Sequence, residues 1–185
     1  ADRGLGVLLG LILGLMMCFD MGGPVNKAAY LFATAGLSAG VLGSNDAPYE
    51  IMAAVMAAGM VPPLAMALST TIRRNLYTEA ERENGTTAWL LGAAFISEGA
   101  IPFAAADPLR VIPSMMAGGA VTGAIIMWLQ VGSQAPHGGL FVFFAITNLL
   151  GFVIAIAAGT VIAGLLVTFL KGRAASKKAQ EKVAA

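Results

Sequence analysis

Apolar positions in this chain come in long blocks divided by short breaks rich in glycine, proline and charge, with no sustained alternation of the kind a half-buried strand would show. The first block covers residues 4–19 and stops at Asp20-Met21-Gly22-Gly23-Pro24-Val25-Asn26-Lys27, a stretch that cannot stay helical throughout. A second covers residues 28–43 and ends in the turn chemistry of Ser44-Asn45-Asp46-Ala47-Pro48. The third, residues 49–71, carries Pro62-Pro63 at its middle, where missing backbone donors predict a bent or broken helix. The longest polar insertion, residues 73–85, follows. Three more apolar runs cover residues 86–106, 113–129 and 140–170, and a basic tail closes the chain. Each block is close to the roughly 20 residues a helix needs to cross a bilayer, so the pattern predicts an all-α membrane protein. The expected architecture is about five transmembrane helices plus one re-entrant hairpin, part of a larger membrane fold. A membrane domain over residues 1–170 would precede a basic tail over residues 171–185.

The hairpin is predicted from charge. Arg73, Arg74 and Arg82 mark the polar insertion, and Lys171, Arg173, Lys177 and Lys178 mark the tail. By the positive-inside rule both belong on the cytoplasmic side, which requires an even number of crossings between them. Three apolar runs lie there, so one must turn back. The run containing Glu98, Gly99, Pro102, Asp107 and Pro108 is the weakest spanning helix, and irregular backbone at membrane depth persists only where it is buried in protein or lines a cavity. A re-entrant hairpin around Glu98 is therefore expected. The rival, a last run divided at Gly151 or Gly159, has no polar turn to support it.

Composition sharpens this picture. Of 185 residues, 58% are hydrophobic and 11% charged, against about a quarter charged for an ordinary soluble domain, which excludes a soluble enzyme core. Mean hydropathy is +0.80. A net charge of +1 argues against a nucleic-acid partner. One cysteine, Cys18, inside an apolar run, permits neither an internal disulfide nor a multi-cysteine metal site, and reads as a small buried residue. No cofactor is expected. The opening Ala-Asp-Arg-Gly-Leu-Gly lacks a methionine and leads to no small-residue cleavage site, so the chain reads as a fragment and not as a protein with a signal peptide.

Ionisable groups inside a membrane cost at least about 2.5 kcal/mol on insertion scales, so each is a candidate for function. Glu98, in Ile96-Ser97-Glu98-Gly99-Ala100-Ile101-Pro102-Phe103, sits at a helix break and could accept hydrogen bonds from sugar hydroxyls; the rival reading is a capping or ion-paired glutamate. Asp107 and Arg110 are spaced for a local salt bridge. Asp20, Asn26 and Lys27 offer an acceptor, an amide and a cation in a turn flexible enough to bring backbone amides to a ligand, or simply an interhelical turn in which Asp20 pairs with Lys27. His137, in Ala135-Pro136-His137-Gly138-Gly139, could bond a hydroxyl, take up a proton, or be an ordinary loop residue. No phosphate-binding loop, serine-hydrolase elbow or zinc-protease motif occurs.

These motifs carry a resemblance. Phe19-Asp20-Met21-Gly22-Gly23-Pro24-Val25-Asn26-Lys27-Ala28-Ala29, residues 96–108 from Ile96-Ser97-Glu98-Gly99 onward, and Pro136-His137-Gly138-Gly139 resemble the fructose-type membrane IIC component of the bacterial phosphoenolpyruvate-dependent phosphotransferase system, in its C-terminal part. The resemblance implies a carrier for fructose or a related hexose in the bacterial inner membrane, coupled to phosphorylation by a phosphorylated IIB partner, and a homodimer when complete, surrounded by membrane lipid. It places Glu98 on sugar hydroxyls, with Ser97 standing where threonine is common. In the leading reading of these residues His137 is a hydrogen-bond donor or proton acceptor, and Asp20, Asn26 and Lys27 shape the site or its gate. Neither Cys18 nor His137 matches a phosphoryl-carrying residue. An intramembrane hydrolase using Glu98 and His137, or a non-transporting assembly subunit, are the other readings.

Overall fold

The computed structural model describes residues 3–40 and 46–184, and among them the chain is helical with no strand beyond one isolated bridge between Ser133 and Ile146. Five long helices, α1 (Arg3–Phe19), α2 (Pro24–Gly40), α3 (Ala47–Ile72), α6 (Pro108–Trp128) and α7 (Leu149–Ala184), surround a short pair, α4 (Glu79–Ala93) and α5 (Ile101–Ala106). Three of them, α3, α6 and α7, are long and apolar enough to cross a membrane, and α1 is a shorter apolar helix. The end of the second apolar block and Ser44-Asn45 lie outside the described residues.

Helix α3 is the axis of the bundle. Every residue from Met52 to Ala67 is buried, as expected of a helix apolar on all faces and enclosed by neighbours on all sides. Asp46, Ala47 and Pro48 are not a separate loop: Pro48 sits in the first turn of α3, where its missing N–H has no helical partner to lose. The helix also runs unbroken through Pro62-Pro63. Ordinary i to i−4 bonding would give the amide at 62 to the Ala58 carbonyl and that at 63 to the Gly59 carbonyl, and proline supplies neither. Two side chains from elsewhere replace them. The Cys18 Sγ–H donates to the Ala58 oxygen at 3.3 Å, and the Ser97 hydroxyl donates to the Gly59 oxygen at 2.7 Å. Cys18 is thus buried, as expected, but also a hydrogen-bond donor.

Helices α1 and α6 touch through their backbones. A Cβ at Gly14 would strike the Gly119 carbonyl, and the reciprocal contact at Gly119 runs into Cys18 and Gly14, so this crossing needs residues without side chains. Exposed Leu8, Ile12, Ile154, Val161 and Leu165 face outward from α1 and α7, an apolar exterior suited to lipid.

Residues 73–85 are only half loop. Thr78 and Glu81 form a capping box, with the Thr78 hydroxyl accepting from the Glu81 amide and the Glu81 carboxylate accepting from the Thr78 amide, and α4 starts there. At its far end the chain reverses over residues 94–96 with Phe95 at φ +63°, passes through a 3-10 turn (Ser97–Ala100), and returns in α5. Lys171 on α7 meets both feet of this hairpin, its Nζ lying 3.9 Å from Glu81 Oε1 and 3.6 Å from Asp107 Oδ2. The Phe103 ring packs edge-on against Tyr77. The hairpin therefore leaves and regains one end of the bundle. Arg73 and Gly172 abut at that same end, so the two basic segments are neighbours.

The last apolar run is shorter as a helix than the hydropathy implies. Gly139–Ala145 form a 3-10 segment with a non-helical Val142, and α7 starts only at Leu149, where Asn148 Oδ1 accepts from the Gly151 amide. From there α7 is continuous past Gly151 and Gly159 and through Lys171, so the basic tail prolongs that helix.

Candidate functional site

The turn between α1 and α2 is built by Asp20. Its carboxylate accepts from the amides of Val25 (2.7 Å) and Asn26 (2.8 Å), satisfying donors in the first turn of α2, and this starts the helix at Pro24, ahead of the apolar block. The Asn26 side chain, nearly buried, donates to the Met17 carbonyl at 2.7 Å and ties α2 to the last turn of α1. Asp20 is spent on backbone amides and not on Lys27, which is exposed and free of ion pairs among the described residues. Gly22, at φ +111°, turns the chain so tightly against the hairpin that an added Cβ would lie 2.7 Å from Glu98 Oε1.

Glu98 itself is exposed at the tip of the hairpin. Among the described residues its carboxylate has no hydrogen bond and no ion pair, so it is neither a cap nor a salt-bridge partner. Ser97, one residue earlier, points the other way: it is buried and bonded to Gly59. The hairpin is thereby pinned to the centre of α3 on one side and offers a bare carboxylate on the other. Asp107 and Arg110 form the local salt bridge expected of them, at 2.8 Å.

His137 reaches the same tip from the opposite direction. Its ring lies 5.0 Å from that of Phe95, and the Gly139 backbone packs on the Ala93 carbonyl and the Phe95 amide. Phe95 is buried, contacts Tyr30 on α2 at 6.2 Å between ring centroids, and closes over Gly59. Thus the three motifs separated in sequence meet at one hairpin tip, residues 95–98, with the turn at 20–27 on one flank and the loop at 136–139 on the other. The six candidates divide in two. Glu98, His137 and Lys27 leave polar groups available, whereas Asp20, Asn26 and Ser97 are committed to holding the turn and the tip in place. A mostly apolar cavity of about 280 Å³ lies beside the turn, lined by Phe19, Asp20, Met21, Ile101, Ala104, Ala105 and Ile112. Phe95 and Tyr30 went unnoticed in the sequence; an aromatic just before a helix break was the only available hint.

No protein-family model matches the chain, and no solved structure does. Curated relatives do. The chain is 57% identical over 168 residues to the PTS system fructose-specific EIIB'BC component of Escherichia coli (strain K12), covering 89% of the chain and 29% of that protein. It is 48% identical over 165 residues to the fructose permease IIC component of Bacillus amyloliquefaciens, covering 89% of the chain and 52% of the relative. With the PTS system fructose-specific EIIC component of Haloferax volcanii it shares 48% identity over 178 residues, 96% of the chain and 46% of the relative. The chain spans about half the length of its permease-only relatives and under a third of the E. coli one. Identity this high along nearly the whole chain places it in the fructose-specific IIC component family, of whose members it spans a part.

Proposed function

We propose that this chain is the part of a fructose carrier, or of a carrier for a fructose-like hexose, that holds the sugar during transport and phosphorylation. The observation that carries the reading is the unpartnered Glu98 carboxylate at the tip of a hairpin that both Gly22 and the His137 loop approach. A carboxylate can accept from two hydroxyls at once, and such charge-assisted bonds are worth about 1.5 to 3 kcal/mol each. His137 adds a donor or acceptor, and Lys27 a cation near the mouth. Asp20, Asn26 and Ser97 keep Glu98 in register without touching sugar. In this reading the Lys171 end is cytoplasmic, the chain lies in the bacterial inner membrane with several crossings, and the complete carrier is a homodimer. A phosphorylated IIB domain then delivers the phosphoryl group, since relatives are named as fused B and C components. Cys18 is fully buried and bonded to Ala58, which speaks against its carrying phosphate.

The test is binding and phosphorylation of labelled fructose by the complete carrier, with mannitol and mannose as comparisons. In E98Q, fructose affinity should drop about tenfold or more while membrane insertion and melting temperature stay unchanged, because the native carboxylate makes no hydrogen bond or ion pair among the described residues. Native affinity in that variant, or a preference for mannitol or mannose in the native carrier, would refute the proposal.

A further inference from the structure

A second cavity opens away from the hairpin tip. It lies at the Lys171 end, encloses about 820 Å³, and is lined by Arg73, Arg110, Arg173 and Lys177 together with Phe169 and Ser176. No carboxylate lines it among the described residues. Arg110 is held by Asp107, and Lys177 stands 4.0 Å from Glu181 in a solvent-exposed pair that screening makes weak. Arg73 and Arg173 have no ion pair among the described residues. Each cation begins where exposed apolar surface ends. Ile72 precedes Arg73, Leu109 precedes Arg110, and Phe169 lies one turn before Arg173, all three being more than half exposed. The Arg173 guanidinium rests 5.5 Å from the centre of the Phe169 ring.

From this arrangement we infer a binding site for the headgroup phosphate of an anionic phospholipid. Guanidinium groups grip phosphate oxygens bidentately. Three helices, α3, α6 and α7, bring their arginines to the level where their lipid-facing side chains stop, the depth at which a headgroup sits. Acyl chains from the same molecule would cover Phe169 and Leu109, which water otherwise meets. A free phosphate or a sugar phosphate shares the anionic chemistry but leaves those apolar side chains uncovered. The site is separate from the Glu98 tip and does not depend on which sugar the carrier takes.

Native mass spectrometry of the complete, delipidated carrier tests this by titration with dioleoyl phosphatidylglycerol, dioleoyl phosphatidylcholine and inorganic phosphate. Phosphatidylglycerol should bind in preference to phosphatidylcholine, and the double variant R73Q/R173Q should bind it about 30-fold more weakly, from two surface cations each worth about fivefold. Inorganic phosphate and fructose 1-phosphate at millimolar concentration should not displace it. Equal binding of both lipids, native phosphatidylglycerol affinity in the double variant, or displacement by either free phosphate would overturn the assignment. Should the double variant fail to fold, R73Q and R173Q taken singly should each show about a fivefold loss, and native affinity in both would be equally damaging.

Discussion

The Ser97 hydroxyl donates to the Gly59 carbonyl, the acceptor that Pro63 leaves without its helical partner, and this single bond joins the tip of the hairpin to the middle of the buried helix α3. A carbonyl released by proline and a buried serine hydroxyl, each costly alone in an apolar interior, satisfy one another. The same logic holds one residue earlier, where Cys18 serves the Ala58 carbonyl left by Pro62.

Ser97→Ala should therefore cost about 1 to 3 kcal/mol, the penalty for a buried acceptor left unpaired, while Ser97→Thr should stay near native. A double-mutant cycle is the sharper measurement. Pro63→Ala restores the backbone N–H, so Ser97→Ala should lose most of its effect in that background. Additive losses in detergent unfolding would show that the serine matters for some other reason.

Gly22→Ala should impair sugar binding more than stability. The new Cβ would meet Glu98 Oε1 at 2.7 Å in a backbone conformation that side chains rarely adopt, and the exposed carboxylate can move aside where a buried group could not. The expected result is a fructose affinity several-fold weaker with a melting temperature lowered by only a few degrees. The reverse pattern would mean that the turn is structural and remote from the ligand.

Lys171→Met should loosen the hairpin at its feet. Lys171 lies between Glu81 and Asp107 and 4.8 Å from the centre of the Tyr77 ring, with only 11% of its side chain exposed. Removing it leaves the poorly solvated Glu81 without a cation and Asp107 with Arg110 alone. At 3.6 and 3.9 Å these pairs are long, so the loss should be on the order of 2 kcal/mol, below that of tightly bonded buried pairs. Amide exchange in α5 should quicken in Lys171→Met and much less in Lys171→Arg. Beneath Lys171, Tyr77 shares a hydrogen bond with Ser69, which also bonds Thr168. Burial pushes the Tyr77 phenol up to about 12, partly opposed by the Ser69 bond and reinforced by Glu81 and Asp107. A raised phenol favours the neutral form, so its contribution to stability is intact below pH 10 and fades as pH rises toward 12. Tyr77→Phe should flatten that alkaline loss.

Cysteines placed at Arg74 and at Gln180 should react with membrane-impermeant reagents from the same side, the cytoplasmic one. Both positions are exposed, and native Cys18 is too buried to compete. Opposite labelling would mean an odd number of crossings between them and would remove the re-entrant hairpin.

The membrane class, the existence of breaks near Asp20 and near Glu98, and the need for one run to turn back were all legible from composition, turn residues and charge. These are local or summed properties, and chain order alone preserves them. Helix starts were less legible, because α4 depends on the Thr78–Glu81 box and α2 on Asp20 reaching five and six residues ahead. The roles within the site were not legible at all. Ser97 and Glu98 are adjacent and both polar, yet one is consumed by a carbonyl 38 residues away and the other is left free. Which residue a proline-released carbonyl recruits, and which ring Phe95 meets, is settled only when distant segments pack. The tertiary structure decided it, because unsatisfied backbone groups in an apolar interior must find partners wherever the fold brings them.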